Sequence, residues 1–441
     1  MSLKAIRTKL GDFWWYSLML FFAYRFSDAL NALVGLYLVP KYVDPAELGA
    51  VLPLTNFANA LSFPIAVFSM VFMKEVNVLA SRGEYGRLKS LMRSVFFFAL
   101  VFLAGAIIAS RLLLPLLLER IRIVGGSLGF LILASAFVGA VSPVYLNALQ
   151  GMKKFTSVSV IHLFSGPLRF FAMVVAMPFR ALSGYFVGQM AGPVFTIGAS
   201  FVALRKELSV KAEKYWTSDI LREFGRYFLL VGVYFAVGNL PTVVEPLVLR
   251  QRLPDTESGA YYILTRFSEI SMMLSAVLQI TIFPFASEKA ERGESTRSFV
   301  VKSSAASLVF SLLFALPFVF FGGALFRLLP RCGIYADYAG YIPWLVGIAA
   351  LISVQAFYTT AEISARRFSF LRWWIPLNVL YSVAMLAVSG YGYFTAYLPQ
   401  QAVEFLSVHN IRSLDSILWW FTACALGKFL FSLIGLLRQR R

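Results

Sequence analysis

The chain has 441 residues, 59% of them hydrophobic and 14% charged, with 43 phenylalanines and a mean hydropathy of +0.74. That balance excludes a soluble globular domain and points to a membrane protein. The net charge of +18 does not signal nucleic acid, because the basic residues lie in short clusters between apolar runs and not on one solvated face or tail.

Two cysteines, Cys332 and Cys424, and two histidines, His162 and His409, are too few for a disulfide framework or a metal centre, so no metal or cofactor is expected. The opening MSLKAIRTKLGD precedes an apolar stretch too long for a signal peptide and without a small-residue cleavage site. The first helix is therefore expected to stay as an anchor.

A helix needs about 20 mostly apolar residues to cross the hydrocarbon core. Runs of this kind predict about twelve spans. They lie near 13–39, 46–73, 92–118, 126–149, 155–178, 180–204, 224–248, 258–285, 299–328, 338–363, 368–395 and 413–437. With the N-terminus in the cytoplasm, 26 of the 40 basic residues fall in inside loops, 10 outside and four within spans. This positive-inside bias predicts that both termini are cytoplasmic, and it accounts for most of the positive charge without an acidic partner.

Two segments echo each other across the chain. YLNALQGMKKFTSVSV, starting at Tyr145, matches YTTAEISARRFSFLRW, starting at Tyr358, and the tripeptide RGE occurs at 82–84 and 292–294. The offsets are nearly equal, which reads as a parallel repeat of six spans plus six. The expected organisation is an N-terminal six-helix lobe (1–204), a cytoplasmic linker (205–223) and a C-terminal six-helix lobe (224–441). The fold class is all-α and polytopic.

The outside turn VPKYVDPAELGAVLPL and the inside loops LQGMKKF and ITIFPFASEKAERGE resemble the multidrug, oligosaccharidyl-lipid and polysaccharide exporter superfamily. Within it they are similar to bacterial flippases of the O-antigen type, which move lipid-linked oligosaccharides for cell-surface polysaccharide assembly. The resemblance is spread over nearly the whole chain and rests on no single diagnostic motif. It implies two lobes around a central cavity, a polyprenyl-pyrophosphate-linked glycan as cargo, alternating access and a place in the bacterial inner membrane.

Charged groups in the hydrocarbon core cost about 2.5 to 3.5 kcal/mol each on insertion scales, so those within spans need a use or a partner. Arg25, Asp28 and Asn31 recur every three residues on one side of the first span, and Arg266 and Glu269 repeat the arrangement in the eighth. Arg169 and Lys428 complete the basic set, and Asn56, Asn59, Asn239 and Gln279 add amides. Arginine forks suit a pyrophosphate because they bind its oxygens in pairs and stay charged when dehydrated. Arg25, Asn31, Asn56, Asn59, Arg169, Arg266 and Lys428 are thus the expected substrate-binding residues. Asp28 and Glu269 would pair with the arginines or take up a coupling proton or sodium ion. The opposing reading makes Arg25–Asp28 and Arg266–Glu269 simple i,i+3 ion pairs.

Glu245 and Glu362 lie near span ends, where snorkelling to the interface is expected. Pro241, after Gly238 and Asn239, predicts a kink and a hinge in the seventh span. An integral-membrane glycosyltransferase would need a sizeable outside loop with catalytic groups, and 396–412 offers only Glu404 and His409. The chain is therefore not expected to be an enzyme. A multidrug exporter of the same superfamily stays open as the alternative; its organic cations call for acidic and aromatic walls.

Overall fold

The computed structural model describes residues 19–438 apart from 121–125, 153, 273–294, 365–366, 389–398, 402–403 and 405–412. The Gln279 amide, the second RGE echo and His409 lie outside the described residues. Everything regular among the described residues is helical.

In chain order, α1 covers residues 19–42 and contains a π-helical turn, Val34–Leu38. It is followed by α2 (Pro45–Ser81), α3 (Tyr85–Arg120), α4 (Gly126–Gly151), α5 (Phe155–Ala176), α6 (Ala181–Leu204) and α7 (Ser218–Arg252). The second half holds α8 (residues 255–272), α9 (Arg297–Arg327), a 3-10 segment (Cys332–Tyr341), α10 (Ile342–Ser364), α11 (Leu371–Val388) and α12 (Leu414–Arg438). Nine of the described helices are long and apolar enough to cross a membrane. The other three expected spans, 13–39, 258–285 and 368–395, run into residues outside the described set. The chain is a multi-pass membrane protein.

The side chains show the same solvent. Phe130, Phe171, Leu312, Phe320 and Phe321 are each more than 60% exposed along these helices, a distribution stable in lipid but not in water. The first four-helix packing of the core is apolar and tight: Phe72, Val76, Leu88, Leu91, Leu149 and Val158 are fully buried.

Contacts group the chain into two compact units. The first comprises the described residues up to Val34 with Leu54–Val233; the second comprises Gly35–Pro53 with residues from Tyr234 onward. The π-helical turn of α1 begins at the junction between them. Such a turn widens the helix by one residue and is a common feature of functional positions.

In the first unit, α2 and α3 are joined by a turn that needs glycine: Gly83 sits at a φ of 72°, a conformation open to glycine at little cost. The segment after α6 then straps the ends of these helices. Lys154 Nζ bonds the Ala203 carbonyl at 2.9 Å and Glu207 Oε1 at 2.6 Å. Lys89 Nζ donates to the Val210 carbonyl, the Glu213 N–H to the Gly86 carbonyl, Tyr215 Oη to Glu75 Oε2 and Trp216 Nε1 to Ser94 Oγ. Burial opposes ionisation of Glu207, yet the Lys154 bond, the backbone bond and the charges of Lys154 and Lys206 outweigh it. The carboxyl is held below the ordinary glutamate range.

In the second unit, the turn between α1 and α2 is clamped by arginines. Buried Arg250 donates to Asp255 Oδ1 and to the Ala46 carbonyl, both at 2.6 Å, and Arg331 Nη1 reaches the Val43 carbonyl at 3.3 Å. This explains why Gly35–Pro53 travels with that unit.

Candidate functional site

Each unit holds a polar cluster at membrane depth. In the first, Arg25 Nη1 meets Asp28 Oδ2 at 3.2 Å along α1, both side chains largely covered. Arg169 of α5 lies within electrostatic reach of Asp28 and Tyr185. Its Nη1 bonds Gln189 Oε1 of α6 at 3.3 Å, and Gln189 Nε2 in turn donates to Tyr185 Oη at 2.8 Å. The Tyr185 hydroxyl is 3.4 Å from Thr55 Oγ1 of α2. Among the described residues, Arg169 has no carboxylate at ion-pair distance. Asp28 pairs with Arg25, and Arg169 is bonded to a neutral amide.

The helix α1 is fixed in this unit by small, specific contacts. Ser27 Oγ donates to the His162 carbonyl at 2.7 Å, Tyr24 stacks on the His162 ring at 3.9 Å and receives a bond from Gln150 Nε2. His162 therefore acts as a packing surface for α1. Asn31 and Asn56 are half-buried, whereas Asn59 is exposed.

In the second unit, Arg266 Nη1 pairs with Glu269 Oε2 at 2.7 Å along α8, and its guanidinium lies over the Tyr262 ring. Its stem passes directly over Gly35, where any Cβ would come within 2.7 Å of Arg266 Cδ. Glu245 of α7 accepts a bond from Tyr381 Oη of α11 at 2.8 Å. Lys428 of α12 is buried, lies 5.4 Å from the Trp374 ring, and exerts its charge on Glu245 and Cys424. Buried Tyr261 feels the charges of Glu245, Glu269 and Arg266, so these groups form one electrostatic cluster. Around it, Trp374 stacks on Tyr234 at 5.7 Å, and Tyr234 Oη and Gln355 Nε2 both bond Thr359 Oγ1.

Two sequence expectations are corrected here. Glu245 does not snorkel: it is turned inward and bonded to Tyr381. Glu362 is likewise buried, at 5% exposure, because α10 presents it to the bundle along with Gln355 and Thr359, on neighbouring turns. The α7 helix runs through Pro241 unbroken; Asn239 Nδ2 and Thr242 Oγ1 bond the carbonyls of Phe235 and Asn239, so side chains satisfy local backbone groups there. Both expected i,i+3 ion pairs form, and Arg25 is joined by Arg169. Arg266 and Lys428 share the second cluster.

Tyr185, Gln189, Tyr261, Tyr381 and Trp374 were not singled out from the sequence. The one available signal was Tyr185 and Gln189 four residues apart on one helix face within an apolar run.

No protein-family model matches the chain, and no curated protein matches it in sequence. Solved structures do match in shape. A multidrug-resistance MATE family transporter of the MOP superfamily, in an inward-facing conformation, aligns over 95% of both chains at 12% identity and a TM-score of 0.61. A Vibrio cholerae MATE transporter aligns over 96% of both at 13% identity and a TM-score of 0.63. The fold is shared with MATE transporters. A MOP superfamily transporter from Pyrococcus furiosus also aligns over 100% of both chains, at 13% identity and a TM-score of 0.60; it is described as having a binding pocket of reverse polarity that suggests a different function. The proteins with which the fold is shared are transporters, not enzymes.

Proposed function

We propose that the chain is an ion-coupled exporter that works by alternating access and carries organic cations. The observation behind this reading is the second unit's cluster. Among the described residues, Glu245 and Glu269 lie there with Arg266 and Lys428, and Tyr261, Tyr381, Tyr234 and Trp374 supply aromatic faces. Carboxylates set among aromatic rings attract a weakly hydrated cation by both charge and ring quadrupole. The fold shared with transporters described as multidrug transporters supports the same reading. Asp28, Glu245 and Glu269 are the proposed groups for a coupling proton or sodium ion, and Pro241 is a proposed bending point.

A second reading rests on the first unit, where, among the described residues, Arg169 is bonded to the neutral Gln189 and has no carboxylate at ion-pair distance. An excess guanidinium at membrane depth suits an anion, and its fork suits phosphate oxygens. On this reading the cargo is a polyprenyl-pyrophosphate-linked glycan. Arg25, Asn31, Asn56, Asn59, Arg169, Arg266 and Lys428 would hold it, and the protein would sit in the bacterial inner membrane with both termini cytoplasmic. The Pyrococcus furiosus protein supports keeping this reading, since its pocket polarity is described as reversed within the same fold.

Proteoliposomes separate the two. Gradient-driven efflux of a cationic dye, reduced by Glu245→Gln, supports the first reading. Translocation of an undecaprenyl-pyrophosphate oligosaccharide without dye efflux, reduced by Arg169→Gln, would replace it with the second.

A further inference from the structure

At the start of α6 the first unit has an open groove of about 580 Å³. Phe130 and Leu131 of α4 form one wall, and Phe179, Ser183 and Val187 form the other, with Arg180 at the rim. The groove lies at the opposite end of α6 from the linker strap, about 36 Å away for 24 residues. It also lies where two candidate spans end and begin, Phe155–Ala176 and Ala181–Leu204. Its depth in the bilayer is therefore that of the interface between hydrocarbon and headgroups.

We propose that this groove is a binding site for a membrane phospholipid with an anionic headgroup. Its walls are apolar, and Phe130 and Phe179 are 73% and 83% exposed; they offer an acyl chain a channel beside the helices. Arg180 is exposed, has no carboxylate at ion-pair distance among the described residues and no side-chain cap bond, and brings a full positive charge to the groove mouth. No acidic residue lines the groove among the described residues. The N–H groups in the first turn of α6 lack carbonyls above them and carry the positive end of the helix dipole, and the Ser183 hydroxyl adds a donor. Apolar walls, a cation at the rim and a helix start at headgroup depth together fit a phosphodiester attached to acyl chains. A soluble phosphate would gain nothing from the channel, and a zwitterionic lipid would bring its own cation to Arg180. The groove is built within one unit and is separate from both polar clusters, so its occupancy does not depend on which cargo is exported.

The test uses the full-length protein purified in mild detergent, then reconstituted in nanodiscs of phosphatidylcholine containing a minor fraction of phosphatidylglycerol. Native mass spectrometry counts the lipid retained by wild type, Arg180→Glu and Val187→Trp, the last filling the groove without touching its charge. The expected result is phosphatidylglycerol enriched on wild type and retained about tenfold less on each variant, the loss of one charge-assisted contact set. Unchanged circular dichroism and melting temperature would show that each variant is folded. Equal retention of the two lipids on wild type, or retention indifferent to both substitutions, would overturn the proposal. So would displacement of the bound lipid by undecaprenyl pyrophosphate at equal concentration, because the groove would then belong to a cargo lipid.

Discussion

The two units solve the same problem, a charge inside a membrane protein, with different balances among the described residues. In the first, Arg25 pairs with Asp28, and Arg169 donates to the neutral Gln189, which in turn donates to Tyr185. In the second, Glu245 accepts the Tyr381 hydroxyl and feels Lys428, while Glu269 pairs with Arg266. The lesson is that neither net charge nor a count of basic residues in spans fixes the polarity of a transport site. Local pairing decides how each charge is met, and it differs between the two units.

The largest effect should come from breaking the second cluster. Glu245→Leu leaves Lys428 without its principal counter-charge and should cost about 3 kcal/mol, read as a lowered melting temperature in detergent. Adding Lys428→Met should recover most of it. Recovery failing in the double variant would show that the two charges act independently and that Lys428 is answered by another group.

Removing the hydroxyl of Tyr381 by Tyr381→Phe should cost about 2 kcal/mol, because it strips a buried carboxylate of a charged hydrogen bond. In the first unit, Arg169→Leu should cost only about 1 kcal/mol, since Gln189 can turn to Tyr185 and Asp28 keeps Arg25. A loss there as large as that of Glu245→Leu would erase the contrast between the units.

The smallest effect belongs to the strap. Glu207→Gln should cost about 0.5 to 1 kcal/mol near neutral pH. Folding holds the Glu207 carboxyl below its ordinary value of 4.5, so its contribution is complete above that value and is lost as pH falls through the lower folded value. Wild type and Glu207→Gln should therefore melt apart at pH 7 and together in strong acid. A gap that widens on acidification would mean that the bond to Lys154 is not the source.

How much of this was legible in the sequence depends on the range of the interaction. Span positions follow from runs of apolar residues, a local property, and α4, α5, α6, α9 and α12 fall within a few residues of where those runs place them. The ion pairs Arg25–Asp28 and Arg266–Glu269 are also local, set by helical spacing. Glu245 was misread because its place along a span says only how deep it lies, while the Tyr381 that turns it inward is 136 residues away. The same holds for Arg169, whose partners Gln189 and Tyr185 sit on the next helix. The strap was visible only as a polar linker. Its hold on Glu75, Ser94 and Lys154 depends on contacts between distant segments that no periodicity encodes.

The measurement that bears most directly on the account is the affinity of tetraphenylphosphonium for wild type, Glu245→Gln and Arg169→Gln in phosphatidylcholine nanodiscs. The account predicts binding by wild type, a loss of about tenfold or more in Glu245→Gln and little change in Arg169→Gln. No binding of the cation to wild type, together with undecaprenyl pyrophosphate binding that Arg169→Gln removes, would contradict it and assign the cargo to the cationic unit.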